Sequence, residues 1–319
     1  MKHKFTWVGL LFLAALFLGT GEAAAQQPVK LRLGLPVDSL DFLPIYIAQE
    51  RGFFTEEKVD AEVTVLRGGG GLIQALVAGE IDMGMAGVME LSLLRDKGVD
   101  VRLVMTTMDV PAFSVVARKE LNWKRMADLK GGSLGVTSPG SLTYALATYF
   151  VSQAGLSPQR DVTLLFLGGG AEMVGALKAK KADALMLFEP FATILVKEGS
   201  ANVILDVPRE LRTFPINNVM VKKGVIDGNP ELVRRSTSAV RRALRFIQSE
   251  PATVRAIAQK KFSGAKPEIL NPALDKYLPH YSKDGAITPE AMAYTQEVLR
   301  VSGLISKALP YQDIVTSVR

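Results

Sequence analysis

The feature that most constrains the fold of this 319-residue chain is an internal repeat with an offset of 101 residues. The segments LRGGGGLIQALVAGEID and LGGGAEMVGALKAKKAD align without a gap, so that Gly68 and Gly69 correspond to Gly169 and Gly170. Both segments end in aspartate. An offset shared by the glycine run, the helix that follows it and the final aspartate predicts that one structural unit is used twice.

Each copy of the repeat reads as alternating strands and helices. The first copy contains, in order, KLRLGL, DFLPIYIAQERGFF, DAEVTVLR, GLIQALVAGE and IDMGMAG, and the second contains GSLGVT, SLTYALATYFVSQAG, DVTLLFLG, AEMVGALKAKK and ADALMLFE. This order predicts an α/β protein with parallel sheets and helices on both faces. Two such lobes side by side leave a cleft, and ligands of such sheets bind beyond the carboxyl ends of the strands.

The glycine runs lie between a predicted strand and a predicted helix, so we expect them to face that cleft. The first backbone N–H groups of a helix are unpaired and carry the positive end of its dipole, and glycine allows close approach to the backbone. The runs lack the Gly-Lys-Ser/Thr of a P-loop and the spacing of a dinucleotide fingerprint. The alternative is a flexible linker, but the repeat and the helix that follows immediately argue against it.

Composition excludes several classes of site. The chain has no cysteine and only two histidines, His3 and His280, which excludes disulfides, thiolate chemistry and multi-histidine metal sites. We therefore expect no metal, no cofactor and no catalytic residue. The length suits two domains, and we interpret His280 as structural.

The N-terminus has the pattern of a signal peptide. Lys2 and Lys4 precede the apolar run FTWVGLLFLAALFLG, and three alanines end at Ala25. The alternative is a membrane anchor, but the run is shorter than the roughly 20 residues that a spanning helix needs. We predict a cleaved signal peptide at residues 1–25 and a periplasmic protein.

The net charge of +6 is concentrated in part in one predicted helix, ELVRRSTSAVRRALRFIQSE. Arg234, Arg241 and Arg245 fall near one face of that helix. Contact with nucleic acid or membrane is the alternative to a solvated face. No helix-turn-helix or aromatic-basic pattern accompanies the arginines, so we expect no nucleic-acid partner and a solvated face.

Five segments together carry a resemblance to a known family: LDFLPIYIAQERGFFTEEKVDAEV, RGGGGLIQALVAGEIDMG, MADLKGGSLGVTSPGSLTYAL, ADALMLFEPFA and NNVMVKKGVIDGNPELV. In this order the chain resembles the nitrate/sulfonate/taurine class of ABC-transporter substrate-binding proteins, whose fold is shared with thiamine-pyrimidine-precursor binding proteins. The resemblance covers residues 28–319.

The resemblance implies a type II periplasmic binding protein with two Rossmann-like lobes and two hinge crossings, near MDVPAFSV and PRELRTFPINNV. Lobe 1 would comprise residues 28–112 and 213–319, and lobe 2 residues 113–212. Closure around a small solute would present a monomer to the permease and ATPase of an importer, with membrane contact only through the permease.

Candidate ligand residues in lobe 1 follow its predicted strands. Asp38, Ser39 and Asp41 precede the first helix, where Asp41 is either a ligand group or the helix N-cap. Asp38 would face an amine. Arg67, beside the glycines, suits a sulfonate, carboxylate or phosphate, unless it is a surface arginine paired with an acid. Gly87 ends the third strand.

Lobe 2 offers a corresponding set. Ser138, Gly140 and Ser141 begin its first helix and would either bind an anion or cap the helix. Phe188 would stack on a planar ligand or belong to the core. Glu189 would bind an amine or orient the next helix.

Asn217 and Asn218, near the second crossing, would reach the ligand through their amides. These residues fit an anion, a zwitterion or a pyrimidine-like ring, and the sequence leaves the choice open. The alternatives to transport are a periplasmic sensor subunit, a cytoplasmic regulator or an enzyme on the same fold. The related pyrimidine-precursor synthases need an active-site histidine and a cysteine-rich motif, and this chain has no cysteine.

Overall fold

The computed structural model describes residues 27–66 and 68–318, so the predicted signal peptide and Arg67 lie outside the described residues. The described strands are β1 (Val29–Leu35), β2 (Val59–Val65), β3 (Met83–Ala86), β4 (Val101–Thr106), β5 (Ser114–Arg118), β6 (Ser133–Val136), β7 (Thr163–Phe166), β8 (Ala184–Leu187), β9 (Ala201–Asp206) and β10 (Asn218–Lys222).

The described α-helices are α1 (Leu43–Glu50), α2 (Phe53–Glu56), α3 (Gly68–Ala78), α4 (Val88–Asp96), α5 (Leu142–Gln153), α6 (Gly170–Lys178), α7 (Phe191–Lys197), α8 (Val207–Glu210), α9 (Lys223–Gly228), α10 (Pro230–Ser249), α11 (Pro251–Lys261), α12 (Pro267–Tyr277), α13 (Pro289–Val301) and α14 (Tyr311–Ile314). Short 3₁₀ helices cover Leu40–Phe42, Lys119–Leu121, Met126–Leu129 and Leu278–His280. None of these described helices has the length and apolar character needed to cross a bilayer.

The strands form two five-stranded sheets of matching design. The first has the order β2-β1-β3-β10-β4 and the second the order β7-β6-β8-β5-β9. We call them, with the helices that cover them, lobe 1 and lobe 2. The repeat strands pair in parallel, for example Val29 with Val59 and Ser133 with Thr163. The predicted fold class, two α/β lobes, is therefore confirmed.

The prediction of purely parallel sheets is wrong for one strand in each lobe. Strand β10 runs antiparallel to β3 and β4, and β5 runs antiparallel to β8 and β9. Both strands enter their sheet directly from a segment that crosses between the lobes. A chain that has just crossed arrives from the cleft side, so it runs opposite to the repeat strands. The strands on either side of the predicted boundaries belong to different sheets, and the boundaries themselves stay a prediction.

The residues shared by the two copies have the same physical task in both lobes. A Cβ on Gly34 would lie 2.6 Å from Ile81, and a Cβ on Gly135 would lie 2.5 Å from Leu167. Only glycine leaves room for the side chains that cover these central strands. The aspartate that ends each copy accepts a backbone N–H from the first strand: Asp82 from Arg32 at 2.9 Å and Asp183 from Ser133 at 2.9 Å.

Three segments meet at the crossing between the lobes. Thr107 N–H donates to the Asn217 carbonyl at 2.9 Å, which joins the two crossing segments, 107–113 and 207–217. Asp109 N–H donates to the carbonyl of His280 at 2.9 Å, and Ser282 N–H donates to that of Thr107 at 3.0 Å. The segment around His280 thus braces the crossing through its backbone, a structural role for this histidine.

The C-terminal helices cover lobe 1 and also touch lobe 2. Helix α10 packs on α1, while α12 packs on α7 and α13 on α5 of lobe 2. Ser302 Oγ donates to the Ala145 carbonyl at 2.8 Å across this contact. The arginines of α10 bind the chain itself as well as facing solvent: Arg241 donates to the Val318 carbonyl at 2.9 Å, and Arg234 pairs with Glu231 at 2.9 Å.

Candidate functional site

A cavity of about 460 Å³ lies between the lobes, at the carboxyl ends of the repeat strands. It is lined from lobe 1 by Pro36, Val37, Asp41, Phe42, Gly68 and Gly69, from lobe 2 by Thr137, Ser138, Ser141, Leu142, Thr143, Gly168, Gly169 and Phe188, and from the crossing segments by Phe113, Ile216 and Asn217. We call this cavity the cleft. Its size is in the range of sites for small organic ligands.

Aromatic rings form one wall of the cleft. Phe188, which follows β8, lies 5.8 Å from Phe113 and 5.5 Å from Phe191 between ring centroids. Phe188 therefore belongs to an aromatic cluster and also lines the cleft, while its stacking on a planar ligand stays a prediction. Phe42 and Phe113 also line the cleft and were not predicted to do so, although Phe113 lies in MDVPAFSV, a predicted crossing segment.

Hydroxyl groups at the start of α5 form a second wall of the cleft. Ser141 is the N-cap of this helix and accepts a hydrogen bond from Tyr144 N–H at 3.2 Å. Its Oγ lies 2.9 Å from Thr143 Oγ1, which lies 2.8 Å from Thr137 Oγ1. Capping and cleft lining are thus combined, as predicted for Ser141. Gly140 has a φ of +71° in the preceding turn and lies against Leu304 rather than in the cleft.

Asp41 places a buried carboxyl group in the cleft wall. Only 8% of the residue is exposed. Ser39 Oγ donates to its Oδ2 at 2.8 Å and Tyr277 Oη to its Oδ1 at 3.3 Å. Burial raises the pKa of Asp41 against these hydrogen bonds, which lower it. The N-cap reading of Asp41 is wrong, because the residue lies inside the 3₁₀ helix Leu40–Phe42 rather than at its start.

A smaller cavity of about 100 Å³ adjoins the cleft. We call it the side chamber. It shares Pro36, Leu142, Ile216 and Asn217 with the cleft, and its further lining is Met85, Ala86, Gly87, Val88, Met89, Glu90, Phe214, Pro215, Thr295 and Leu299. Thr295 and Leu299 come from the C-terminal helix α13, and no sequence signal indicated them.

Glu90 is the titratable group of the side chamber. Its Oε2 accepts a hydrogen bond from Gly87 N–H at 2.9 Å, at the start of α4. Its Oε1 lies 2.8 Å from the position that a Cβ on Gly69 would take, at the start of α3. Burial raises the pKa of Glu90 against these backbone hydrogen bonds. Glu90 was not among the predicted residues, and its signal in the sequence is its position three residues after Gly87, as in a capping box.

The glycine runs contribute less backbone to the cleft than predicted. Gly68 has a φ of +72°, and its N–H donates to the Pro36 carbonyl at 2.8 Å, so that group is already used. Gly69 and Gly169 line the cleft. Gly170 is buried against Phe191, whose ring would lie 2.2 Å from an added Cβ. Gly170 is therefore needed for packing.

Six predicted ligand residues line neither cavity: Asp38, Ser39, Gly140, Gly170, Glu189 and Asn218. Asp38 accepts a hydrogen bond from Tyr46 Oη at 2.6 Å and pairs with Lys261 on the outer surface. Glu189 is fully buried, accepts the N–H of Thr193 at 3.0 Å and pairs with Lys276.

Asn218 is fully buried and likewise lines neither cavity. Its Nδ2 donates to the Ala86 carbonyl at 3.2 Å. For Glu189, the second predicted role applies, because its carboxylate accepts an N–H of the helix that follows it. The amine beside it is that of Lys276.

The electrostatic character of the two cavities is acidic in the described part of the chain. Their described lining contains Asp41 and Glu90 and includes no lysine, arginine or histidine. Neither carboxyl group has a cation among the groups that shift its pKa. Within the same described ranges no cluster of histidine, aspartate and glutamate has the arrangement of a metal site.

Comparison with known proteins gives consistent matches over the length of the chain. A model of the NMT1-like family matches residues 24–260. YtlA from Bacillus subtilis (strain 168) is 22% identical, with 98% of this chain and 96% of that protein covered.

Among solved structures, the alkanesulfonate-binding protein SsuA from Xanthomonas axonopodis pv. citri, bound to MOPS, is 20% identical. It has a TM-score of 0.75 and covers 92% of this chain and 100% of its own. The desulfurization enzyme DSZB is 16% identical, with a TM-score of 0.68 and coverage of 91% and 96%. At these identities the solved structures show the fold.

Proposed function

The chain belongs to the NMT1-like family, and from that premise we propose that it is the substrate-binding protein of an ABC importer. It captures a small organic solute between its two lobes and delivers it to a membrane permease. The observation that carries the proposal is the cleft itself, since its lining comes from both lobes and from the crossing segments.

A cleft of this construction couples binding to closure. A solute that contacts Phe42 of lobe 1 and the hydroxyl wall of lobe 2 together has contacts in the closed form that the open form lacks. The differential affinity shifts the population towards closure. The crossing segments, braced by residues 280–282, provide the hinge for this motion.

The resemblance to DSZB makes an enzyme the second candidate. The hydroxyl groups of Ser141, Thr143 and Thr137 hydrogen-bond to one another. Nucleophilic catalysis requires a base within hydrogen-bond reach of the nucleophile. His280, the only histidine in the described ranges, lines neither cavity. The arrangement favours binding over catalysis.

The location and partners follow from the proposed role. Residues 1–25 direct export and are removed, the mature protein works as a monomer in the periplasm, and its partners are the permease and ATPase of the importer. Lobe 1 then comprises residues 28–112 and 213–319, and lobe 2 residues 113–212. A role as a periplasmic sensor subunit uses the same capture and closure with a receptor in place of the permease.

The ligand is a small organic solute with an apolar or flat body, because phenylalanine rings and hydroxyl groups dominate the lining. Sulfonates, carboxylates, zwitterions and pyrimidine-like rings are the classes to compare. SsuA from Xanthomonas was solved with MOPS, which is itself a zwitterionic sulfonate.

Thermal unfolding in the presence of a solute panel tests the proposal. The purified protein is unfolded and refolded to remove carried solute, then heated with sulfonates including MOPS, nitrate, aromatic carboxylates, pyrimidines and amino acids. A ligand at 100 times its Kd stabilises by about 2.7 kcal/mol, which raises the Tm by several degrees at about 2–4 °C per kcal/mol. Native mass spectrometry of protein that has not been stripped identifies a co-purifying solute. Absence of both a Tm response and a bound solute would contradict capture.

A further inference from the structure

The starts of the helices at the cleft are the places where an anionic ligand would bind. At the starts of α3, α4 and α6 the chain's own carboxyl groups already lie there, whereas α5 begins with hydroxyl groups. Glu90 accepts the Gly87 N–H at the start of α4 and lies against Gly69 at the start of α3. In lobe 2, Glu172 Oε2 lies 2.9 Å from the position of a Cβ on Gly169, at the start of α6. An anion entering either position would meet a group of the same sign.

The carboxyl groups in the cavities also differ from two carboxyl groups elsewhere in the described chain. Glu189 is paired with Lys276, and Asp183 with Arg118 at 2.5 Å. Asp41 and Glu90 form no ion pair within residues 27–66 and 68–318. A buried charge without a partner is costly, and a cationic group of a ligand would supply the partner that neither carboxyl group has among the described residues.

The geometry lets one solute reach both groups. Asp41 lines the cleft and Glu90 the side chamber, and the two cavities meet at Pro36, Leu142, Ile216 and Asn217. The side chamber, at about 100 Å³, has room for a small polar group. The larger cleft has room for the apolar body between the aromatic and hydroxyl walls.

We propose that the captured solute carries a protonated amine, that Glu90 and Asp41 are the residues that select it, and that small anions are excluded. This inference rests on the proposed function and names the ligand class of the same site. Glu90 binds the amine in the side chamber, while Phe42, Phe113 and Phe188 contact the body of the solute.

The test compares matched probes that share a body and differ in charge. The probe pairs are benzylamine with phenylacetate and 2-phenylethylamine with 2-phenylethanesulfonate. The same amine and acid pairs are also tested on bodies of two rings. Thermal unfolding and isothermal titration give the binding of each to the stripped protein. We expect the amines to bind and their matched acids to give no response.

Variants then assign the selectivity to the carboxyl groups. Glu90→Gln keeps the shape of the side chain and should weaken amine binding about ten- to one-hundredfold, the loss of a charge-assisted hydrogen bond. Glu90→Asp, which keeps the charge, should recover part of the affinity. Glu62→Gln, at an exposed position of β2, is the matched control and should bind as the wild type does. Asp41→Asn supplies an independent variant if Glu90→Gln folds poorly by circular dichroism.

The outcomes separate this inference from the proposed function. Binding of the sulfonates or carboxylates in preference to the amines, unchanged by Glu90→Gln, would overturn the selection of an amine and leave solute capture standing. Equal amine binding in the wild type and in both carboxyl variants would also overturn it. Failure of every probe, together with no co-purifying solute in native mass spectrometry, would overturn both proposals.

Discussion

Lys276 of α12 forms an ion pair with Glu189, whose side chain is fully buried at the start of α7. The pair joins the C-terminal helices of lobe 1 to lobe 2, and the residues are 87 positions apart in the chain. In this structure α12 and α7 therefore hold the two lobes together on this side of the cleft. Opening of the cleft by separation of α12 and α7 would expose Glu189 to solvent.

Removal of the amine should destabilise this arrangement. In Lys276→Met, Glu189 stays buried without its cation, at a cost of about 2–3 kcal/mol, below the full range for a buried pair because Lys276 is partly exposed. We expect weaker ligand binding and a larger radius of gyration by X-ray scattering. Lys260→Met, which breaks the surface pair with Glu50 inside lobe 1, is the matched control. Identical scattering for both variants would remove the pair from the control of closure.

Two glycines of one helix should respond in opposite directions to alanine. In α6, a Cβ on Gly170 would lie 2.2 Å from the Phe191 ring, while nothing lies within 4 Å of a Cβ on Gly175. Gly170→Ala should cost about 1–3 kcal/mol through overpacking. Gly175→Ala should stabilise the protein by up to about 1 kcal/mol because alanine is the better helix former. Urea unfolding measures both, and a neutral Gly170→Ala would show that this glycine is not needed for packing.

Stability should fall in acid partly through Asp183. Burial raises the pKa of Asp183, but hydrogen bonds from Arg118 and Ser133 outweigh burial and hold it below its usual value. A folded pKa below the unfolded one, about 3.9, gives stability that is present above that pH and is lost as the pH falls through the folded pKa. In Asp183→Asn this acid dependence should be smaller.

Denaturant unfolding between pH 7 and pH 3 measures the effect. Asp60→Asn, at an exposed position of β2, changes the net charge equally and should keep the acid dependence of the wild type. A steeper loss of stability in Asp183→Asn than in the wild type would contradict the assignment.

Arg67 distinguishes the two ligand classes that the sequence left open. If the solute is held by an anionic group at Arg67, then Arg67→Ala should cost roughly 1.5–3 kcal/mol of binding free energy. If Glu90 and Asp41 hold an amine, the same substitution should leave the affinity unchanged. Titration of the identified ligand into the wild type and Arg67→Ala decides between them, with Lys58→Ala as a surface control.

The sequence by itself determined the two-lobed architecture, because each requirement of the repeat is met by residues of the same copy. Gly34 and Gly135 are needed where side chains cross a central strand, and the aspartate that ends each copy accepts a backbone N–H 50 residues earlier. The cleft at the carboxyl ends of the strands follows from the alternation of strands and helices. Ser141, Phe188 and Gly69, which were predicted on that basis, lie in its wall.

Only the tertiary structure decided how the polar groups are used. The sequence position of Glu189 predicted a ligand residue, but its carboxylate forms an ion pair with Lys276 of the distant helix α12. Asp38 forms a hydrogen bond with Tyr46 and an ion pair with Lys261. Glu90 has the sequence pattern of a helix cap, yet it lines a cavity to which α13 also contributes. The partner of a charged side chain is set by which elements pack together across the whole chain. Strand and helix periodicity predicts the local backbone and its buried face. It does not predict which distant side chains will form an ion pair or a hydrogen bond.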